Sequence, residues 1–175
     1  LSDMITAEGL REKKKEFPDA AVVCYVNSRA DVKAESDVTC TSSNAVEVVR
    51  GLPNKQILFV PDKNLARYVE RAVPEKEIIA WEGYCPIHHR ITADYLKKAM
   101  DENPGAKLIA HPECKEEVQD MADYVTSTSK MLEVAEKDPA EKFIVITECG
   151  MINLLKEQLP NKKFMTTCSV CFDMK

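Results

Sequence analysis

Hydrophobic residues in the first half of the chain come in short unbroken runs rather than in alternation. "AAVVCYV" (20–26), "QILFVP" (56–61) and "EIIAW" (77–81) are apolar almost throughout, rich in β-branched residues and too short for independent helices. Such runs read as buried strands. "DVTC" (37–40) reads as a further short strand. Between them, "TAEGLREKKKEF" (6–17), "SSNAVEVVRGL" (42–52) and "DKNLARYVERAV" (62–73) have helical composition, and the first stops at Pro18. Strands that alternate with helices and lack a polar face predict an α/β fold, three-layer α/β/α with a parallel sheet covered on both sides. Ligands of such sheets gather at the carboxyl ends of the strands.

The pattern then repeats. "ITA" occurs at Ile5 and at Ile91, an offset of 86 positions. Held without a gap, that offset sets Leu10 on Leu96, Pro18 on Pro104, Val32 on Val118 and Asp37 on Asp123. It also sets "ILFV" from Ile57 on "FIVI" from Phe143, and Pro74 on Pro160. Isolated matches arise by chance between any two αβ layers, but a register kept along the whole chain does not. It predicts two copies of one unit, residues 1–86 and 87–175.

Composition narrows the class. The 175 residues are 45% hydrophobic and 30% charged, enough to bury a core. A net charge of −5 argues against nucleic acid or an anionic membrane surface as partner. No apolar run approaches the roughly 20 residues of a membrane span, and no signal peptide is visible. Seven cysteines, an odd number scattered through a Lys- and Glu-rich chain, do not form a secreted disulfide framework. The expectation is reduced thiols in a cytoplasmic compartment.

One stretch concentrates scarce residues. "WEGYCPIHH" (81–89) holds the only tryptophan, Cys85, and two of three histidines, at a predicted strand end. Under the repeat, Cys85 falls on Cys171, the one cysteine pair that matches. Run backward, the register calls for another cysteine just before Leu1. A third upstream copy would make a pseudo-threefold arrangement with three cysteines on one axis, suited to a metal or an iron–sulfur cluster. Cys168 and Cys171 have Cys-x-x-Cys spacing, which alone suggests a zinc half-site or a redox pair. The register sets Cys168 on Glu82, so Cys168 is accessory. Cys24, Cys40, Cys114 and Cys149 read as structural. Tyr25 and His111 share one repeat position at a strand end, as do Asn27 and Glu113. Different polar groups at one strand end are what a shared site would need, since His and Glu move protons and Tyr donates one. Thr41-Ser42-Ser43 and Ser127-Thr128-Ser129 are likewise equivalent, each ahead of a helix, where hydroxyls and free N–H groups can cap the helix or hold an anion.

"CYVNSRADVKAESDVTCTSSNAVEVV", "FVPDKNLARYV", "WEGYCPIHHRIT", "AHPEC", "TSTSKML" and "CFDMK" together resemble the quinolinate synthase (NadA) family over nearly the whole chain. The resemblance implies a triangle of three related α/β domains, with one cysteine from each holding a central [4Fe-4S] cluster that leaves one iron open to substrate. It implies condensation of iminoaspartate with dihydroxyacetone phosphate to quinolinate in NAD biosynthesis, with release of phosphate and water. A transient partnership with an L-aspartate oxidase or dehydrogenase is also implied.

By that resemblance the chain holds the second and third domains. The first domain is absent, including a Gly-Cys upstream of Leu1 that would supply the third thiol, and so is a short segment after "DMK". The implied cluster ligands are Cys85 and Cys171, and His88 lies beside the cluster cavity. Tyr25, Asn27, His111 and Glu113 line the active site, with Tyr25, His88, His111 and Glu113 as catalytic groups. Both substrates are anionic, which assigns Ser42 and Thr128 to anion binding. Two departures stand out: the family usually shows Cys-Pro-x-Met where this chain has "CFDM", and an acidic residue where it has His89. His89 is expected to face solvent or cap the following helix. A competing reading is a non-enzymatic two-domain protein that binds small anions at helix N-termini, which would have no need of Cys85 and Cys171 in equivalent loops.

Overall fold

A computed structural model of the chain describes residues 1–166. Two compact units emerge, Leu1–Cys85 and Pro86–Lys175. The first opens with a 3-10 turn (Ser2–Met4) and continues through α1 (Ala7–Glu16), β1 (Ala21–Tyr25), α2 (Ala30–Ala34), β2 (Val38–Cys40), α3 (Ala45–Gly51), β3 (Gln56–Val60), α4 (Lys63–Ala72) and β4 (Glu77–Ala80). The second comprises α5 (Pro86–His89), α6 (Ala93–Glu102), β5 (Lys107–Ala110), α7 (Glu116–Gln119), β6 (Tyr124–Val125), α8 (Thr128–Lys137), β7 (Lys142–Ile146), α9 (Cys149–Gln158) and β8 (Lys163–Thr166).

Among the described residues each unit has a four-stranded parallel sheet, in the orders β2-β1-β3-β4 and β6-β5-β7-β8. The unbroken apolar runs follow from burial on both sides of the sheet. In the first unit Val23, Ile57 and Phe59 pack with Val49, Leu65 and Val69 of α3 and α4. The alternate residues Val22, Cys24, Leu58 and Val60 pack with Leu10 and Val32 of α1 and α2. The second unit has the same two layers. Ile109, Phe143 and Val145 meet Met131, Ala135 and Leu155 of α8 and α9, and Leu108, Ile144 and Ile146 meet Leu96 and Val118 of α6 and α7. These are the α/β/α layers expected of the pattern.

The equivalence reaches individual hydrogen bonds at the offset of 86. Ala21 pairs Ile57, and Lys107 pairs Phe143. Thr6 caps α1 through Gly9 N, and Thr92 caps α6 through Tyr95 N. Asp37 accepts from Val22 N at 2.7 Å, and Asp123 from Leu108 N at 2.8 Å. Lys76 donates to the Leu52 carbonyl, and Lys162 to that of Asp138.

Two local expectations change. The helix read from Ser42 begins at Ala45, because Thr41, Ser43 and Asn44 bond among themselves instead. Thr41 N donates to Asn44 Oδ1 at 2.7 Å, and Thr41 Oγ1 lies 2.7 Å from Ser43 Oγ. Such local side-chain bonds offer the backbone an alternative to the helix. Also, the helix after His89 is capped by Thr92, while His89 itself closes α5. Among the described residues no helix is long and apolar enough to cross a membrane.

Candidate functional site

In this strand order the chain leaves the first strand of each unit toward one edge of the sheet and later returns to its other side. That reversal separates the ends of β1 and β3, and of β5 and β7, and opens a crevice at their carboxyl ends. The chemistry-bearing residues sit there.

In the second unit, His111 directly follows β5 and Thr147 directly follows β7. The ladder continues one step beyond the strands, with His111 N donating to Ile146 O at 3.1 Å. His88, from α5, and Glu113 complete the group. Glu113 Oε2 lies 3.2 Å from Nδ1 of His88 and 3.2 Å from Nδ1 of His111. The two imidazoles stack at 4.6 Å between centroids, 19° from parallel. His88 Nε2 lies 3.2 Å from Thr147 Oγ1. His88, His111, Glu113 and Thr147 are all buried, none more than 6% exposed.

Burial alone would raise the Glu113 carboxyl, but hydrogen bonds from His111 and His88 outweigh it and hold the group well below the ordinary carboxylate range. Burial lowers the proton affinity of His111, only partly offset by its bond to Glu113, so this imidazole is neutral at pH 7. An ionised carboxylate only accepts, so the Nδ1 atoms facing it carry hydrogens. In the neutral tautomer His88 Nε2 then accepts from the Thr147 hydroxyl. The Glu113 backbone N–H also lies 3.3 Å from His111 Nδ1. That contact and the carboxylate compete for one atom, and the charged acceptor is the stronger partner. The group is a buried anion flanked by two imidazoles, of which His111 is neutral.

The matching crevice of the first unit is different. Tyr25 ends β1 and is 4% exposed, while Asn27 is exposed and donates through Nδ2 to the Tyr25 hydroxyl at 3.0 Å. Asp62, directly after Pro61 at the end of β3, is fully buried and caps α4. Cys85 follows β4 in a half-buried loop.

The described cysteines divide sharply. Cys24, Cys40 and Cys114 are buried in the apolar layers, and burial, with Cys24 nearby, pushes the Cys40 thiol up to about 12. Cys149 is in a disulfide, which differs from the expectation of reduced thiols at that position. Cys85 is a thiol outside the core, on a loop at the carboxyl end of a parallel sheet, so the donor atom and its placement fit an iron–sulfur ligand. Cys168 and Cys171 lie outside the described residues.

Ser42 is half-buried in the turn ahead of α3, not at its cap. Thr128 is the exposed first residue of α8, behind the N-cap Ser127. Sequence reasoning missed Thr147 and the partnership of Asp62 with the Cys85 loop. The available signal for Thr147 was a single hydroxyl ending the apolar run "FIVI", where the other copy has Pro61.

Fold and site together define a repeated α/β/α protein with polar groups at equivalent strand ends, the position where parallel sheets of this class bind ligands. The family model described as quinolinate synthetase A protein, NadA, matches residues 1–175, and the chain belongs to that family. It is 48% identical to a quinolinate synthase of Alkaliphilus metalliredigens and 49% identical to those of Methanosarcina barkeri and Clostridium kluyveri, each over 177 aligned positions. These alignments take in all of this chain and 58% of each relative, so the chain spans less than two thirds of their length.

Proposed function

We propose that the chain is the part of a quinolinate synthase corresponding to the second and third of three related domains, residues 1–86 and 87–175. Its small-molecule substrates are iminoaspartate and dihydroxyacetone phosphate. The observation that carries the reading is the Glu113 carboxylate between two stacked imidazoles at a strand-end crevice, in a chain matched end to end by this family.

In this reading Cys85 and Cys171 supply two thiolates to a [4Fe-4S] cluster, with a third cysteine upstream of Leu1. When bound, that group supplies a Lewis acid with an open iron site. The chain's own residues bind, orient and move protons. Thr128, at the N-terminus of α8, and Ser42 bind carboxylate or phosphate oxygens. Tyr25 donates its phenolic hydrogen to a substrate oxygen and Asn27 holds that hydroxyl in place. His111, neutral because buried, takes up a proton, and Glu113 stabilises the imidazolium that forms. His88 is held between Glu113 and Thr147 with its ring orientation set. Burial of His88, His111, Glu113 and Thr147 excludes bulk water from these transfers.

The test is anaerobic reconstitution, with iron and sulfide, of this sequence at its relatives' full length, followed by an assay for quinolinate. A brown protein that forms quinolinate, and loses both colour and activity on Cys85→Ser, supports the reading. A colourless protein that binds dicarboxylates or phosphate without turnover points instead to the anion-binding alternative.

A further inference from the structure

Asp62 is the fully buried carboxylate of the first unit, and it serves two elements at once. Its Oδ1 accepts from Leu65 N at 2.9 Å and so caps α4. Its Oδ2 accepts from the backbone N of Cys85 at 2.8 Å, 23 residues away. The N-cap of the second unit at the same repeat position, Glu148, turns both oxygens on its own helix, to Met151 N at 3.0 Å and Gly150 N at 2.8 Å. A helix cap needs one oxygen. The second oxygen of Asp62 is therefore committed to the cysteine loop.

The rest of that loop is clamped against the same strand end. Gly83 bridges Asp62, and Lys63 N donates to Gly83 O at 2.8 Å. A Cβ on Gly83 would lie 2.4 Å from Pro61 O, so only glycine allows this approach. Trp81 Nε1 donates to Met4 O at 2.9 Å, and Tyr84 N to Met4 Sδ at 3.3 Å. Four anchors thus end one after another at Cys85, and the last is a buried charge-capable group on the backbone of the cysteine itself.

We infer that Asp62 is a positioning residue for Cys85, fixing the backbone from which this thiolate reaches iron. The inference rests on the cluster reading above. Groups that hold a ligand in place, without touching the metal, set its retention. Asp62→Ser separates the two tasks, because a serine hydroxyl still caps α4 but has no second oxygen for Cys85 N. Asp62→Asn keeps the shape and sets an amide N–H against one of the two backbone N–H groups.

Wild type, Cys85→Ser, Asp62→Ser and Asp62→Asn are made at the relatives' full length and reconstituted anaerobically. Iron and sulfide per chain, the electron paramagnetic resonance spectrum of the reduced cluster and the rate of iron capture by a chelator are measured, with circular dichroism as the check on folding. Both Asp62 variants should lose iron to chelator roughly 10-fold faster or more, with an altered resonance spectrum, while Asp62→Ser keeps the wild-type melting profile. Wild-type chelation rates and spectra in both variants would show Asp62 to be a helix cap alone. If Asp62→Ser does not fold, Asp62→Asn decides by the same two readouts. A wild type that holds no iron, or a Cys85→Ser that holds as much as wild type, brings down the cluster reading and this inference with it.

Discussion

At the end of β1 the first unit presents Tyr25 and Asn27; at the end of β5 the second presents His111 and Glu113. The scaffolds beneath are the same in strand order, register, capping threonine and the aspartate that accepts from a strand N–H. The difference lies at the carboxyl end of the ladder. Inside the sheet each side chain is constrained by neighbours on both faces, and exchange between apolar residues keeps the packing. At that end Tyr25 still pairs Cys40 and packs with the apolar core, whereas His111 joins the buried polar group of His88, Glu113 and Thr147. The two units keep one frame and carry different polar groups at its strand ends.

The comparison is broken most severely at Glu113. Glu113→Gln removes the charge that both imidazoles face and should lower quinolinate formation by about 10²- to 10⁴-fold. Asn27→Asp, at the equivalent exposed position, should be far milder. Steady-state assays of the reconstituted enzyme decide, and equal losses would mean that the two crevices do not divide the work as proposed.

Packing provides the next test. Leu10 and Leu96 occupy the same position on α1 and α6, and both are fully buried. Truncating either to alanine should cost about 2–5 kcal/mol in its own unit. Native-state hydrogen exchange in β1 and β5 reads the two losses separately. Values that differ by more than this spread would show that one core relaxes around the gap and the other does not.

Thr147 sharpens the difference, since the first unit has Pro61 there. Thr147→Val leaves His88 Nε2 without its hydroxyl partner, at a cost of about 1 kcal/mol. The pH profile of quinolinate formation should change as well, and Thr147→Ser should restore it. A merely structural threonine would be replaced by valine with no change in the profile.

The smallest effect concerns acid. Lys107 pairs Asp123 at 2.7 Å in the second unit, where the first unit has Ala21. Burial alone would raise the Asp123 carboxyl, but the Lys107 and Leu108 N hydrogen bonds together outweigh it and depress it below its ordinary value. A carboxylate depressed in the folded state contributes stability that is present above its unfolded pKa of 3.8 and is lost as pH falls through the lower folded value. Lys107→Ala should therefore weaken the second unit slightly above about pH 4, since the pair is partly exposed and solvent screens it. The effect should shrink toward pH 2, and denaturant melts across that range check the sign.

The hydrophobic runs and their repetition at 86 positions determined the layers, the parallel sheets and the equivalence of strand ends, because burial on both faces leaves a local mark on every residue of a strand. Tyr25 and His111 could be paired from the register alone, since each sits at the end of such a run. The joining of His88 to Thr147 across 59 residues, and of Asp62 to Cys85 across 23, left no comparable mark. Those contacts depend on β7 lying beside β5, with β6 sent to the edge, and on β4 lying beside β3. Strand order is a property of the whole sheet, settled by how the crossing helices pack on its two faces, and a single threonine or aspartate at a strand end carries no record of its neighbour until the sheet has closed.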